Sequence, residues 1–200
     1  QNVQENESRF VSHLKECDDA IGNIMCTLDD LKLLDKTIVI VTADHGTSFG
    51  EKKGEKFYGT FVYDYTIKVF CMMYIPNETS QIVQNQCSSI DIFPTVAETA
   101  GLNLGNDCSD VLGKSLFNFI NSSENTDREV FVETGGLHGP WPSPKRHNVF
   151  CVRKNNKKLI YNDTPKTWEF YDLKNDPKEL NNIYDDNSQD ITKFKNILLD

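Results

Sequence analysis

Residues 37–43 read TIVIVTA, a run in which β-branched side chains follow one another with no polar alternation. Branching at Cβ stiffens χ1 and favours extended backbone. A strand without alternation has no face to offer water, so it must be covered on both sides, and helices are the usual cover. The fold class that follows is α/β. Upstream, Phe10, Leu14, Cys17, Ile21, Ile24, Leu28 and Leu31 alternate steps of four and three, which predicts a helix laid on a core. Leu33-Leu34-Asp35-Lys36 turns this helix into the strand. IKVFCMMYIP, from Ile67 to its stop at Pro76, predicts the next buried strand. Between the two strands, residues 46–65 read as a long loop, and long loops inside compact domains are usually functional.

Further on, a helix is expected from Asp91 as its cap, with Pro94 in the first turn, Phe93, Val96, Ala97 and Ala100 on the apolar face, and Gly101 ending it. Residues 113–120 suggest a short helix, followed by a polar stretch at 121–128. The texture then changes to short strands, REVFVET, HNVFCVR, KKLIYN and TWEFYDL, with a hairpin signal at Lys154-Asn155-Asn156. One or two closing helices are expected from DPKELNNIYDD and SQDITKFKNILLD. The organisation predicted is an α/β part at 1–128 and a small antiparallel sheet with closing helices at 129–200.

Composition excludes some functions. Against 30 acidic residues stand 21 basic ones, a net charge of −9, and no Lys/Arg block tracks a phosphate backbone, so nucleic acid is not an expected partner. No apolar run approaches the ~20 residues of a membrane span. The six cysteines form no Cys-x-x-Cys pair, which removes a cysteine-based zinc site. Cys87 and Cys108 flank a helix and are a candidate disulfide in an oxidising compartment; buried or free thiols are the alternative. Asn-x-Ser/Thr sequons start at Asn6, Asn77, Asn121 and Asn162. Localisation stays open, with a secreted, periplasmic or lysosomal setting the better fit.

Asp44 and His45 leave the buried strand directly before Gly46, at the carboxyl edge where open α/β sheets place ligand crevices. A carboxylate oxygen and an imidazole nitrogen suit a divalent cation, and Gly46 lets the backbone turn away. The alternative is a hydrogen-bonded turn.

The segment VTADHGTSFGEKKGEKFYGTFVYDYTIKVFCMMYIP resembles the sulfatase family of the alkaline phosphatase superfamily, whose metal-binding strand ends in Thr-Ser-Asp-His-Gly or Thr-Ser-Asp-Asn-Gly. Ala43 stands where Ser is usual. Gly50-Glu51, and Tyr63-Asp64 ahead of Ile67-Lys68-Val69, resemble its following loop and strand. CDDAIGNIMCTLDDLKLLDKTIVIVTADHG is similar to its preceding helix. SSIDIFPTVAETAGL and WEFYDLKNDPKELNNI are similar to its Asp-Ile-x-Pro-Thr helix and its Tyr-Asp-Leu close, so the likeness covers nearly the whole chain.

The resemblance implies the C-terminal part of an alkaline-phosphatase-like sandwich of helices on a mixed sheet, acting as a metal-dependent sulfuric ester hydrolase on a small-molecule or glycan sulfate. It implies Asp44 and His45 as metal ligands, a hard cation (calcium, with magnesium or manganese as alternatives), and a formylglycine nucleophile made in a Cys/Ser-x-Pro-Ser-Arg motif. No cysteine here lies in that motif. Asp18-Asp19 and Asp29-Asp30 read as solvated helix carboxylates, not as the family's N-terminal Asp pair. Truncation is the expected explanation, with the nucleophile on sequence ahead of Gln1 and the isolated chain inactive. Lys56 is the candidate cation for the leaving oxygen, near the aligned Tyr58-Gly59. His138, beside Trp141 in a Gly/Pro-rich loop, is a candidate substrate contact, ranked above Arg146 and His147. Competing readings are a phosphodiesterase or phosphonate hydrolase of the same superfamily, and a non-catalytic module retaining half the fold.

Overall fold

A computed structural model describes residues 3–52, 54, 57–102, 104, 110–120, 128–135 and 149–199. The chain divides into two compact units, Gln1–Ser80 with Thr134–His147, and Gln81–Glu133 with Asn148–Asp200.

The first unit opens with α1 (Val3–Asp30), longer than the apolar stripe alone predicts. A single 3₁₀ turn at Leu34–Lys36 leads to β1 (Val39–Thr42). A one-turn helix, α2 (Asp64–Ile67), precedes β2 (Cys71–Tyr74). β2 runs antiparallel to β1 with Val39 opposite Tyr74 and Thr42 opposite Cys71, and the Thr42 hydroxyl donates to Phe70 O at 2.7 Å. The strands expected at this point are shorter and less covered than their composition predicts. β1 is half-buried with Thr42 exposed, and only Met73 of β2 is partly covered. The stripe of α1 is likewise largely open, Ile24 at 55% and Leu31 at 62% exposure, while Ile21 and Leu28 are half-buried. An apolar pattern records the face that a sequence is built to bury, and among the described residues Phe10 at the start of that stripe meets the Phe49 ring edge-on, centroids 5.3 Å apart.

In the second unit, a 3₁₀ turn (Ser89–Asp91) runs into α3 (Ile92–Thr99). Asp91 holds the N-cap position of α3, as expected, though its side chain makes no cap hydrogen bond to that helix. Ser88 caps the 3₁₀ turn ahead of it and forms a capping box with Asp91. The covered residues are Pro94, Thr95 and Ala97, whereas Phe93 and Val96, expected inside, are exposed. Gly101 ends the helix at φ +70°, a left-handed conformation that costs glycine little. Asp91 turns its carboxylate to other work. It is fully buried and takes a two-pronged ion pair from Arg128, at 2.6 and 2.8 Å, together with the N–H groups of Ser88 and Lys114, both at 2.8 Å. Burial alone would raise this carboxyl's pKa. The Arg128 hydrogen bonds and the two backbone donors outweigh it and hold the group below the usual carboxylate range.

After α4 (Phe117–Ile120) comes a four-stranded antiparallel sheet in sequential order. Its strands are β3 (Glu129–Thr134), β4 (Val149–Lys154), β5 (Lys157–Asn162) and β6 (Thr167–Asp172). The β4–β5 hairpin closes over Asn155-Asn156, with Asn155 at φ +53°, as the sequence signal predicts. Val152, Leu159 and Phe170 line up across three strands and pack with Ile191 and Phe194 of the single closing helix, α5 (Gln189–Leu199). Lys158, the neighbour of Leu159 along the strand, faces the other way and is fully buried against Glu179, Nζ to Oε1 at 2.8 Å. Residues 177–188 carry no α-helix. Instead, Asn182 Oδ1 accepts from Phe170 N at 2.9 Å and Ile183 N donates to Phe170 O at 2.9 Å, so this segment binds the outer edge of β6.

Candidate metal centre

β1 ends at Thr42, and the chain then lifts Asp44 into solvent, its side chain 87% exposed, while His45 keeps 35%. Gly46 makes the exit possible. Its N–H donates to Thr66 O at 2.7 Å, and a Cβ placed there would stand 2.1 Å from Tyr65 O. Backbone packs directly on backbone, which no larger residue permits.

Two hydrogen bonds orient the pair. Asp44 Oδ1 accepts from His45 N at 2.9 Å, and His45 Nδ1 lies 2.7 Å from Gly46 O. A carbonyl can only accept, so this contact selects the tautomer with the proton on Nδ1 and the lone pair on Nε2. Asp44 Oδ2 and His45 Nε2 then face each other at 3.6 Å, too far for a hydrogen bond. Both lone pairs stay available, and the gap suits one cation making bonds of roughly 2.0–2.6 Å to each. The donor set, a hard anionic oxygen beside a neutral imidazole with its other nitrogen on a carbonyl, fits a divalent metal as two of its ligands. Among the described residues no group of three or more His, Cys, Asp or Glu is placed to hold a metal ion.

Tyr58 stacks on the His45 ring, centroids 3.8 Å apart and planes at 27°. Its neighbour Gly59 accepts from the Thr134 hydroxyl at 2.6 Å, within the same unit. Nothing in the periodicity of residues 46–65 signals the Tyr58 contact. Glu51 has a role that the Gly-Glu pair hints at. Its Oε2 accepts from Ser48 Oγ and from the N–H groups of Phe49 and Gly50 at 2.7–3.1 Å, tying off the loop after the pair. Lys52 lies over the Tyr63 ring at 4.7 Å. Lys56, His138, Trp141, Arg146, His147 and Cys108 lie outside the described residues. Asp18, Asp19, Asp29 and Asp30 are exposed on α1, as expected of solvated carboxylates.

Comparison with known proteins bears on what such a pair serves. The family described as sulfatase matches residues 2–102, and that described as N-sulphoglucosamine sulphohydrolase, C-terminal, matches residues 53–198. Arylsulfatase K of Homo sapiens is 34% identical over 177 residues, 84% of this chain and 31% of its own length. The chain therefore spans about a third of that relative. Among solved structures, BT4656 in complex with its substrate D-glucosamine-2-N,6-O-disulfate superposes with a TM-score of 0.71 at 23% identity, covering 91% of this chain and 37% of that one. The phosphonate monoester hydrolase SpPMH from Silicibacter pomeroyi superposes at 0.75 and 21% identity, covering 91% and 38%. At these identities the likeness is one of fold, an alkaline-phosphatase-like α/β architecture.

Proposed function

Because this chain belongs to the sulfatase family of the alkaline phosphatase superfamily, we propose that it supplies Asp44 and His45 as metal ligands to a metal-dependent hydrolase of sulfuric esters. The observation that carries this reading is the pair of unengaged donors, Asp44 Oδ2 and His45 Nε2, held 3.6 Å apart at the end of β1. Residues 1–128 then serve as the C-terminal part of the catalytic α/β domain and 129–200 as its closing subdomain.

A hard divalent cation, calcium on this reading because the remaining ligands are expected to be oxygens, would supply positive charge against the sulfate oxygens. Asp44 contributes the anionic oxygen. His45 contributes a neutral nitrogen, its tautomer set by Gly46 O and its ring plane by Tyr58. Lys56 is assigned to the leaving oxygen and His138 to substrate contact. Sulfatases take their nucleophile from a formylglycine, and no cysteine of these 200 residues lies in the motif that makes one. The nucleophile is therefore assigned to sequence beyond them. The substrate is assigned as a sulfate ester, a class that includes the sulfated glucosamine bound by BT4656.

The fold alone does not choose sulfur over phosphorus, since a phosphonate hydrolase shares it. The test measures bound metal and hydrolysis of an aryl sulfate and an aryl phosphonate by the full-length protein and its Asp44→Ala and His45→Ala variants. Each variant is expected to lose at least ~100-fold in turnover and to retain less metal. Unchanged metal content and turnover in Asp44→Ala would remove the site, and faster phosphonate than sulfate cleavage would reassign the substrate.

A further inference from the structure

We propose that Asn77 is an acceptor site for an N-linked glycan, and that Asn162, which carries the same sequon, is withdrawn from that role by the fold. Asn77 follows β2 in the sequence Ile75-Pro76-Asn77-Glu78-Thr79. Glu78 N donates to Ile75 O at 3.2 Å, and Asn77 has φ +64°. Proline at the second position and a left-handed Asn at the third are the signature of a type II turn. Asn77 is therefore the outward corner of a tight turn, and Asn77, Glu78, Thr79 and Ser80 are all exposed. A sugar chain can leave this corner without displacing packed side chains, and the sequon hydroxyl of Thr79 is open beside it.

The second sequon, Asn162-Asp163-Thr164, has the opposite surroundings. Asn162 is 5% exposed in the last position of β5, opposite Thr167, and its Nδ2 donates to Glu169 Oε1 at 2.9 Å. A glycan on that nitrogen would need to enter the sheet where the amide sits. Sequence alone gives the two motifs equal standing; their placement separates them.

The donor required is a polyprenyl-pyrophosphate-linked oligosaccharide. The bond formed joins Asn77 Nδ2 to the anomeric carbon of the first sugar. The bond broken is that carbon's link to the pyrophosphate oxygen, and the lipid pyrophosphate leaves with the amide proton taken up by base.

The experiment secretes the full-length protein from a eukaryotic cell line and isolates the protease-resistant, folded fraction. Glycans are released with peptide-N-glycosidase in heavy-oxygen water, and the peptides are mapped by mass. The peptide bearing Asn77 is expected to convert to heavy-oxygen Asp in most molecules, and the peptide bearing Asn162 to stay unmodified. Thr79→Ala keeps the turn residue and should abolish the Asn77 label; Asn77→Gln should do the same and shorten the chain's apparent mass by one glycan. An Asn77 peptide unlabelled in the wild-type folded fraction overturns the proposal, as does labelled Asn162 in that fraction.

Discussion

Replacing Gly46 with alanine tests whether the backbone after β1 is what aims the Asp44–His45 pair. The added Cβ would meet Tyr65 O at 2.1 Å and Tyr65 C at 3.0 Å, about 1.3 Å inside ordinary contact for the first. Neither obstacle is a side chain that can swing aside. The Gly46 N to Thr66 O hydrogen bond at 2.7 Å further pins the two segments together. Relief therefore requires residues 45–47 or 65–66 to shift by about an ångström, and the His45 ring shifts with them. Overpacking of this kind costs ~1–3 kcal/mol in stability, and a displacement of ~1 Å at reacting groups costs on the order of 100-fold in turnover. The assay pairs a chelator-competition measurement of metal affinity with kcat/KM on an aryl sulfate and a thermal melt, all on the full-length protein. Gly22→Ala is the control, because a Cβ there meets nothing within 4 Å on α1; it should be neutral or stabilising by up to ~1 kcal/mol. A Gly46→Ala protein within threefold of wild type in both affinity and turnover would refute the reasoning.

Three further outcomes are expected. Tyr58→Ala, which removes the plate under His45, should weaken metal binding by ~10-fold or more, while Tyr58→Phe keeps the stack and the affinity; equal loss in both would point to the hydroxyl instead. Glu179→Ala strands the buried Lys158 ammonium and should cost ~3–5 kcal/mol by urea unfolding, whereas Lys158→Met with Glu179→Leu should recover most of it, and a single variant near wild type would show the pair to be solvated. For Asp91 the folded pKa lies below the unfolded one, so its contribution is present above an unfolded pKa of about 3.9 and is lost as pH falls through the folded value. Arg128→Met leaves a buried, unpaired carboxyl with a raised folded pKa, so the stability difference between wild type and variant should widen from pH 3 to pH 6; a constant difference contradicts the assignment.

Much of the second unit was legible in the sequence. HNVFCVR, KKLIYN and TWEFYDL became strands because each meets its neighbour across a tight turn, with paired residues 3 to 15 positions apart in sequence, so local pattern and tertiary contact agree. The helix expected at DPKELNNIYDD did not form. Pro177 and the left-handed Glu179 (φ +53°) break the backbone there, and the segment gains more from edge pairing and the buried ion pair. Asp91 stands at the N-cap position of α3 as its place in the sequence predicts. Its carboxylate makes no cap hydrogen bond to that helix and binds Ser88 N, Lys114 N and Arg128 instead; the last lies 37 residues away, and no local rule reveals it. At the candidate centre, the strand end, Asp44, His45 and Gly46 could be read from residue type and order. The Tyr58 stack could not, because it depends on how a loop without periodicity folds back.

The strip from Asn182 to Ile183 along β6 also bears on how the chain behaves in company. An open outer strand is adhesive, a template on which another molecule's backbone can dock and propagate. Here a short following stretch of the same chain occupies the Phe170 backbone groups first, using one side-chain amide as a counterfeit peptide bond. Removing residues 182–199 is expected to uncover that strand and invite self-association, so this stretch guards against clumping through Asn182 and Ile183 and covers the core through Ile191 and Phe194.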